Sequence, residues 1–432
     1  MKWLELLALS NQLADPPMLR IAFALAAVFS YFASVGLAGE NWPQFRGPNG
    51  EGVTAETGLP VTWSETENIV WKTPIPGKAW SSPVIWKDQI WVTNAPADGK
   101  QLSAVCVDRN SGQIEHDIKV FEIAEPQFCY PLNSYGSCTP VIEEGRVYVH
   151  FGAHGTACLD TTNGQILWTR QDLECNHFRG PASSPILYGN LLVVAYDGYD
   201  QQYVVAFNKQ TGETVWKRDR NIEYGTENGD MKKGYGTARV IDVDGIKQLV
   251  YPSAGATIAY VPESGEEIWR MNHGGMNACN PPLIGHGLMF LNSASGGFRL
   301  FAMRLGGTGD LTKTNVEWKT SQGVPSRPST LLVDDLIFMV ADNAVVTCLE
   351  AKTGERVWNK RLEGEFSSSP IYSEGKIYFS NQDGLSFVVA ASREYELLAT
   401  NTLAAGCMAS PAVYEKAIYL RTKEALYRIE KK

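Results

Sequence analysis

The sequence predicts an all-β fold, an eight-bladed β-propeller of four-stranded antiparallel blades in which an N-terminal strand completes the last blade. Three observations favour this fold. The composition is rich in turn-forming and aromatic residues, a short pattern recurs about every 40 to 55 residues, and a surplus strand near one end of the chain matches a missing strand at the other.

The composition suits many short strands joined by turns. The 432 residues include 40 Gly, 22 Pro, 18 Tyr and 12 Trp, and aromatic residues with turn formers favour strands over long helices. A chain of this length is compatible with one closed all-β domain. The net charge is -9 at pH 7 and no run of Lys or Arg exceeds two residues, so a nucleic acid backbone would be repelled and nucleic acid is excluded as a partner.

A turn followed by tryptophan marks the end of most repeats. The matching segments are TNGQILW ending at Trp168, QTGETVW at Trp216, ESGEEIW at Trp269, KTGERVW at Trp358 and the variant TNVEW at Trp318. In NSGQIEH, His116 takes the place of the tryptophan. The glycine supplies the positive φ of a tight turn between the third and fourth strands, and we expect the tryptophan to fill the wedge between adjacent twisted sheets.

Each repeat opens with small residues, in most cases including proline, before a short apolar run. The openings are SSPVI at 81–85, CTPVI at 138–142, SSPIL at 183–187, TARVI at 237–241, NPPLI at 280–284, PSTLLV at 328–333, SSPIY at 368–372 and ASPAV at 409–413. Eight openings at this spacing predict eight four-stranded blades.

The two ends of the repeat region are complementary. The last repeat begins near Ser410 and stops at Lys432 without a turn and tryptophan strand, whereas ENIVWKTPIP, which contains Trp71, precedes the first opening as an isolated strand. We therefore expect this strand to pair beside Leu426 and Tyr427. That pairing closes the ring and removes two open sheet edges.

The N-terminal residues predict export. An apolar stretch from Ile21 to Leu37 follows Arg20 and ends in Gly36-Leu37-Ala38, which is typical of a signal peptide over residues 1–38, with Met18 as an alternative start. A retained membrane anchor is the competing interpretation, because the stretch approaches the roughly 18 residues needed to span a bilayer. Residues 39–66 then form a lead-in and residues 67–432 the propeller, which we expect in the periplasm, in the cell envelope or secreted.

The eight cysteines contain no C-x-x-C, no C-x-x-C-H and no adjacent pair, which argues against attached c-type haem and a finger-like zinc site. Buried thiols are expected at the equivalent third-strand positions Cys106, Cys158 and Cys348. Because an exported protein meets oxidising conditions, one disulfide is expected among Cys129, Cys138 and Cys175, with the pair left open.

The topology predicts one loop-rich face. Connections from one blade to the next and from the second to the third strand emerge at the same end, and the long segments at that end are 121–137, 170–182, 196–202 and 218–236. The polar residues that this face brings together are the candidate binding residues: Asn133, Ser134, Tyr135, His154, His177, Arg179, Asp197, Tyr199, Asp200 and Asn280. Loops on a rigid scaffold are where binding sites concentrate.

Several of these residues have two interpretations. His154, His177 and His273 with Asp197 are suitable metal ligands, but no pair has metal-motif spacing, so no metal site is predicted. Asp197 and Asp200 would suit acid-base chemistry, or would form the DGYD turn. Arg179 in HFRGPASSP precedes a strand, where its guanidinium would bind a carboxylate or carbonyl, or would tie one blade to its neighbour.

With these repeats and the lead-in WPQFRGPNGEGV, the chain resembles the pyrroloquinoline quinone (PQQ)-like repeat family over about residues 42 to 431. This family includes BamB-like assembly factors and quinoprotein dehydrogenases, and the chain looks most like secreted single-domain members. The resemblance implies the propeller fold. Quinoprotein dehydrogenases typically hold PQQ against a disulfide of adjacent cysteines, with carboxylate-bound Ca²⁺ and a catalytic Asp, and the adjacent cysteines are absent here.

These observations favour an exported, non-catalytic scaffold of the cell envelope that binds a protein partner or a ligand on the loop-rich face, with no cofactor. Two alternatives stay open. One is a PQQ-dependent dehydrogenase, which would hold PQQ and Ca²⁺, and the other is a propeller that binds a polysaccharide or small ligand in its axial funnel. No lipobox cysteine precedes the lead-in, which argues against a lipid-anchored assembly factor.

Overall fold

Eight antiparallel sheets, built from short strands, follow one another around a ring. The computed structural model describes residues 39–432. The predicted signal peptide, the start at Met18 and the alternative membrane anchor lie outside the described residues.

Each blade is a meander whose strands are labelled A at the axis to D at the outer edge. Strands A to D are Val84–Trp86, Gln89–Asn94, Gln101–Asp108 and Ile114–Glu122 in blade 1; Val141–Glu143, Arg146–His150, Thr156–Asp160 and Ile166–Arg170 in blade 2; Ile186–Tyr188, Leu191–Asp197, Gln202–Asn208 and Thr214–Asp219 in blade 3; and Arg239–Val243, Ile246–Pro252, Ala256–Tyr260 and Glu267–Asn272 in blade 4.

The second half of the ring repeats this order. Strands A to D are Leu283–Gly285, Leu288–Asn292, Leu300–Arg304 and Val316–Thr320 in blade 5; Leu331–Val333, Leu336–Val340, Val345–Glu350 and Arg356–Arg361 in blade 6; Ile371–Ser373, Lys376–Ser380, Leu385–Ala390 and Leu397–Thr402 in blade 7; and Ala412–Tyr414, Ala417–Arg421, Ala425–Glu430 and Ile69–Pro74 in blade 8. Gly309–Asp310 adds a short parallel strand to the edge of blade 4, and Gly229–Met231 is a 3₁₀ turn. The predicted eight-bladed fold is confirmed.

The tryptophan pattern joins consecutive blades. The indole N–H of each of five strand D tryptophans donates to a backbone carbonyl in the next blade at 3.0 to 3.1 Å; the donors are Trp71, Trp168, Trp216, Trp318 and Trp358. At Gly212 and Gly354, φ is +76° and +73°, and an added Cβ would lie within 2.7 Å of the indole from the preceding blade. The turn glycine is therefore required both by its backbone conformation and by the indole packed on it.

The N-terminal strand closes the ring as the sequence predicts. Ile69–Pro74 pairs antiparallel with strand C of blade 8, and Lys72 and Thr73 lie opposite Tyr427 and Leu426. Trp71 then packs on the Gly112 turn of blade 1. Blade 8 therefore contacts blade 1 through the same type of contact that joins the other blades.

The lead-in crosses the face of the ring opposite the loop-rich face. Trp42 exchanges backbone hydrogen bonds with Ile85 of blade 1, and Gly52 accepts from Tyr372 of blade 7. Between them, the guanidinium of Arg46 donates to the carbonyls of Pro370 and Thr330 at 3.2 and 2.8 Å. Burial lowers the pKa of Arg46 to about 9, although Glu51 favours its charge. The lead-in is thus fixed across the axis.

Candidate functional site

A ring of hydroxyl groups surrounds the axis at the strand A openings. Along this hydroxyl ring, six backbone N–H groups each donate to the hydroxyl of the neighbouring blade at 2.9 to 3.2 Å. The equivalent positions are Ser82, Thr139, Ser184, Thr237, Asn280, Ser329, Ser369 and Ser410. The two links that involve Asn280 are missing among the described residues, and Asn280 has an amide where the other seven positions have a hydroxyl.

A cavity of about 400 Å³ lies above this ring, and residues of all eight blades line it. We call it the axial pocket. Phe45 of the lead-in also lines it, and because the lead-in crosses the opposite face, Phe45 forms a floor. One layer of the wall consists of residues two positions before the hydroxyl ring: Trp80, Ser137, Ala182, Tyr235, Arg327, Ser367 and Met408. In extended backbone, alternate residues point the same way, so these positions form a second layer above the hydroxyls.

Sequence reasoning missed this second layer. It identified the small-residue openings but not the residue two positions before each hydroxyl. The sequence contains the signal for this layer. When the openings are aligned, the residues two positions before the hydroxyl positions include Trp80, Tyr235 and Arg327.

Of the predicted binding residues, Asn133 and Arg179 line the axial pocket. The amide of Asn133 connects two long loops: its Nδ2 donates to the carbonyls of Arg179 and Pro181 at 2.9 and 3.2 Å, and its Oδ1 accepts from Ser137 Oγ at 2.6 Å. Asn133 therefore positions the backbone around Arg179.

Arg179 combines pocket exposure with fixed partners. Its side chain is 35% exposed, its Nη2 lies 2.5 Å from Asp230 Oδ2, and its guanidinium lies over the ring of Tyr130 at 5.2 Å. Asp230 also contacts Lys233 Nζ at 2.5 Å. Burial opposes ionisation of Asp230, but the hydrogen bonds and charges of Lys233 and Arg179 hold its pKa below the usual range. Arg179 thus ties two blades together and also faces the pocket.

Ser134, Tyr135, His154 and His177 are buried beneath the long loops and do not line the pocket. The hydroxyl of Ser134 lies 2.8 Å from that of Ser137, and the ring of Tyr135 packs 5.8 Å from that of His154. His177 Nε2 accepts from the backbone N–H of Ala153 at 2.9 Å, and burial lowers the pKa of His177 to about 4. These contacts hold the loops on blade 2.

The two candidate carboxylates have different partners. Both oxygens of Asp197 accept from Arg220 at 2.9 and 2.7 Å, and both side chains are fully buried. Asp200 is exposed and accepts from the backbone N–H groups of Asn176 and Gln201. Asp197 and Asp200 therefore do not share partners as an acid-base pair would.

His273 is held by its own neighbours, with Nδ1 2.5 Å from the carbonyl oxygen of Gly274 and Nε2 3.1 Å from Thr257 Oγ1. Within residues 39–432, no group of three or more His, Cys, Asp or Glu side chains is arranged to hold a metal ion.

Four of the unpartnered polar atoms of the described residues lie on the side of the axis formed by blades 5 and 6. Asn280 is buried, and neither atom of its amide has a hydrogen-bond partner in the described part of the chain. The same holds for Asn277 Oδ1 and Arg327 Nη1, and both of these residues line the pocket. Buried polar groups are almost always hydrogen-bonded, so these enclosed atoms are exceptions, and the polar group on this side that a molecule in the pocket can reach is the side chain of Arg327, which is 31% exposed.

The expected disulfide is absent, since all eight cysteines, which lie within residues 39–432, are free. Each of the three candidates has its own surroundings: Cys138 is fully buried at the opening of blade 2, Cys175 packs in a core cluster with Tyr196 and Tyr203, and Cys129 lies against Gly180. Sharing a face does not bring sulfur atoms to bonding distance. The predicted buried thiols at Cys106, Cys158 and Cys348 are confirmed.

An exposed aromatic cluster lies beside the pocket on the long loops. We call Phe128, Phe178 and Tyr199 the aromatic rim; their side chains are 58%, 37% and 37% exposed. The ring centroids of Phe128 and Phe178 are 5.9 Å apart, and those of Phe178 and Tyr199 are 5.2 Å apart. Contiguous exposed apolar groups of this kind mark interaction surfaces.

Among residues 39–432, no helix is long and apolar enough to span a membrane.

In sequence, the chain is similar to methanol dehydrogenase [cytochrome c] subunit 1 of Methylobacterium organophilum, with 28% identity over 149 residues that cover 30% of this chain and 22% of that protein. The chain thus matches less than a quarter of that relative's length.

Solved structures resemble the ring at low identity. The quinohemoprotein alcohol dehydrogenase of Comamonas testosteroni superposes with a TM-score of 0.65 at 11% identity, covering 91% of this chain and 81% of that one. BamB of Moraxella catarrhalis gives a TM-score of 0.57 at 12% identity, covering 83% and 99%. These likenesses establish the fold alone.

A family model described as outer membrane protein assembly factor BamB matches residues 66–200 and 200–432. The two matches span most of the chain and all eight blades described above. The protein therefore belongs to this family of PQQ-like repeat propellers.

Proposed function

We propose that the protein is a non-catalytic binding propeller that holds a small organic ligand in the axial pocket. The observation that carries the proposal is the pocket itself: about 400 Å³, closed below by Phe45 and lined by all eight blades. Ligand sites are typically concave, mostly apolar and equipped with a few convergent polar groups. The pocket has this character, with Trp80, Tyr235 and Met408 beside Arg179 and Arg327.

The lining favours binding over chemistry by the chain's own side chains. None of the lining residues is Asp, Glu or His, and the cysteine among them, Cys279, is held as a thiol because burial raises its pKa to about 12. General bases and thiolate nucleophiles need accessible groups with pKa values near the working pH. We therefore assign binding to these residues.

The dehydrogenase alternative can be tested against the same lining. Two guanidinium groups suit an anionic cofactor such as PQQ. Calcium, however, prefers several carboxylate and carbonyl oxygens, and no carboxylate lines the pocket. The residues thus fit the organic part of such a centre but not its metal ion, and we assign no catalytic step to it. A PQQ-loaded enzyme would have a cofactor absorbance band and reduce a dye with an alcohol substrate, whereas the proposed binding protein would do neither.

The experiment that tests the proposal is recovery of a bound small molecule. The protein would be purified from its native source, denatured, and its small-molecule fraction analysed by mass spectrometry. Ala182 lines the pocket and Ala97 is exposed outside it, so Ala182→Trp fills the pocket and Ala97→Trp is its control. We expect a stoichiometric molecule from the wild type and the control and its loss from Ala182→Trp. Recovery of none from the wild type would contradict the proposal.

The aromatic rim supports a second function, docking of a protein partner on the loop-rich face. Aromatic side chains are enriched at the centres of protein interfaces. Phe128→Ser would reduce capture of such a partner, while Ile246→Ser, which changes an equally exposed apolar residue on the opposite face, would not. Equal capture by both variants would contradict docking at the rim.

We also propose that the protein is exported to the cell envelope. The support is the apolar stretch from Ile21 to Leu37 that ends in small residues before Gly39. N-terminal sequencing of the mature protein is expected to begin near Gly39. An intact Ile21 to Leu37 segment in the membrane fraction would support an anchor instead.

A further inference from the structure

The charge around the axial pocket is not balanced. Two of its lining residues, Arg179 and Arg327, are cationic and none is acidic. Behind the wall, Asp230 is shared by Arg179 and the fully buried Lys233, and Arg327 Nε pairs with Asp342. Three cations thus contact two carboxylates, which leaves one positive charge. Such a charge favours one negative charge from a ligand.

Arg327 lines the pocket and has a single ion-pair partner, Asp342. Asp342 accepts from Arg327 Nε through one oxygen and from the backbone N–H of Ser326 at 2.6 Å through the other. These contacts orient the guanidinium, which belongs to a side chain that lines the pocket and is 31% exposed, and they leave the enclosed Nη1 without a partner in residues 39–432. A buried charged donor without an acceptor is costly, and a planar guanidinium is geometrically matched to a carboxylate. The amide of Asn277 lies on the same side of the pocket.

The remainder of the pocket is apolar. Trp80, Tyr235 and Met408 lie in the layer of Arg327, and Phe45 closes the bottom. An apolar or aromatic body can be buried against these side chains while one end reaches Arg327.

Resting on the function proposed above, we infer that the ligand is a small organic monocarboxylate, with its carboxylate bound at Arg327 and an apolar body between Trp80, Tyr235 and Met408. Arg327 acts as the anchoring group of the site. Arg179, which retains Asp230 as its partner, faces the ligand from the long-loop side.

Titration calorimetry with 2-naphthoate and its uncharged analogue 2-naphthamide tests this inference. We expect the wild type to bind the carboxylate at least about tenfold more tightly than the amide, because one charge-assisted hydrogen bond is worth about that factor. Arg327→Gln is expected to remove this preference, and Arg327→Lys, which keeps the charge without the planar fork, to retain part of it. Arg356→Gln, on the exposed outer strand of the same blade, serves as the matched control and is expected to bind like the wild type.

Equal affinity for the acid and the amide, binding of neither, or an unchanged preference in folded Arg327→Gln would overturn the inference. If Arg327→Gln does not fold, the inference is tested by comparing the binding of 2-naphthoate and 2-naphthamide to the wild type and to Arg327→Lys. The outcomes separate this inference from the proposed function: a neutral molecule recovered from the native protein and lost in Ala182→Trp would contradict the carboxylate while preserving the binding function, whereas recovery of no molecule would contradict the binding function.

Discussion

Replacing Trp71 by alanine tests whether the ring is closed in solution. Trp71 lies on the N-terminal strand, packs on the Gly112 turn of blade 1 and donates its indole N–H to the carbonyl of Arg109 at 3.0 Å. It also lies 6.0 Å from the ring of Tyr419 in its own blade. The substitution therefore removes the side-chain contact between the last blade and the first that corresponds to the tryptophan contacts between the other blades.

The expected cost follows from these contacts. Removing a fully buried tryptophan costs about 3 to 5 kcal/mol. Because Trp71 is half-buried, we expect about half of that, together with about 1 kcal/mol for its hydrogen bond. Together these contributions predict a loss of about 2.5 to 3.5 kcal/mol of unfolding free energy.

Trp318 provides a matched control within the chain. It joins blade 5 to blade 6, where it packs on Gly354 and donates to the carbonyl of Ala351 at 3.1 Å. Because its contacts are the same, Trp318→Ala is expected to lower the urea unfolding midpoint, followed by circular dichroism, about as much as Trp71→Ala. An unchanged midpoint for Trp71→Ala beside a lowered one for Trp318→Ala would refute closure at blade 8.

Four further outcomes follow. Deleting residues 66–76 should lower the melting temperature more than Trp71→Ala, because blade 8 loses its outer strand; an unchanged temperature would contradict closure. Arg179→Ala should weaken ligand binding in calorimetry about tenfold with little change in melting temperature, since its ion pair is partly exposed. Unchanged binding with a lower melting temperature would show that Arg179 has a structural role instead. Asn280→Ser should raise the free energy of unfolding, measured by urea denaturation, by about 1 kcal/mol, because a hydroxyl completes the ring; a lower free energy of unfolding would contradict this. Stability should fall from about pH 6.5 towards pH 4, because His177 and His273 have folded pKa values of about 4 and the unfolded chain binds protons there first; urea midpoints that stay constant over this range would contradict it.

The fold could be predicted because each blade carries its own local signal. The turn glycine and the following tryptophan recur in register, and the position of the N-terminal strand beside Leu426 and Tyr427 followed from matching the incomplete ends. In a repeat ring, neighbours in sequence are also neighbours in space, so local patterns determine most contacts.

The site was less predictable because its contacts join distant segments. Asn133 could be placed on the loop-rich face, and Arg179 could be placed near the axis from its position before strand A. Nothing local indicates that Arg220 neutralises Asp197, or that Asn280 interrupts a hydroxyl ring built from eight repeats. The disulfide prediction was wrong for the same reason, since a shared face does not specify which side chains touch.

The most direct test of the account is a crystal structure of the protein purified from its native source without added ligand. The account predicts density for a small organic molecule in the axial pocket, above Phe45 and against Trp80, with an acidic group at Arg327. A pocket that contains only water, with Arg327 Nη1 hydrogen-bonded to that water, would contradict it.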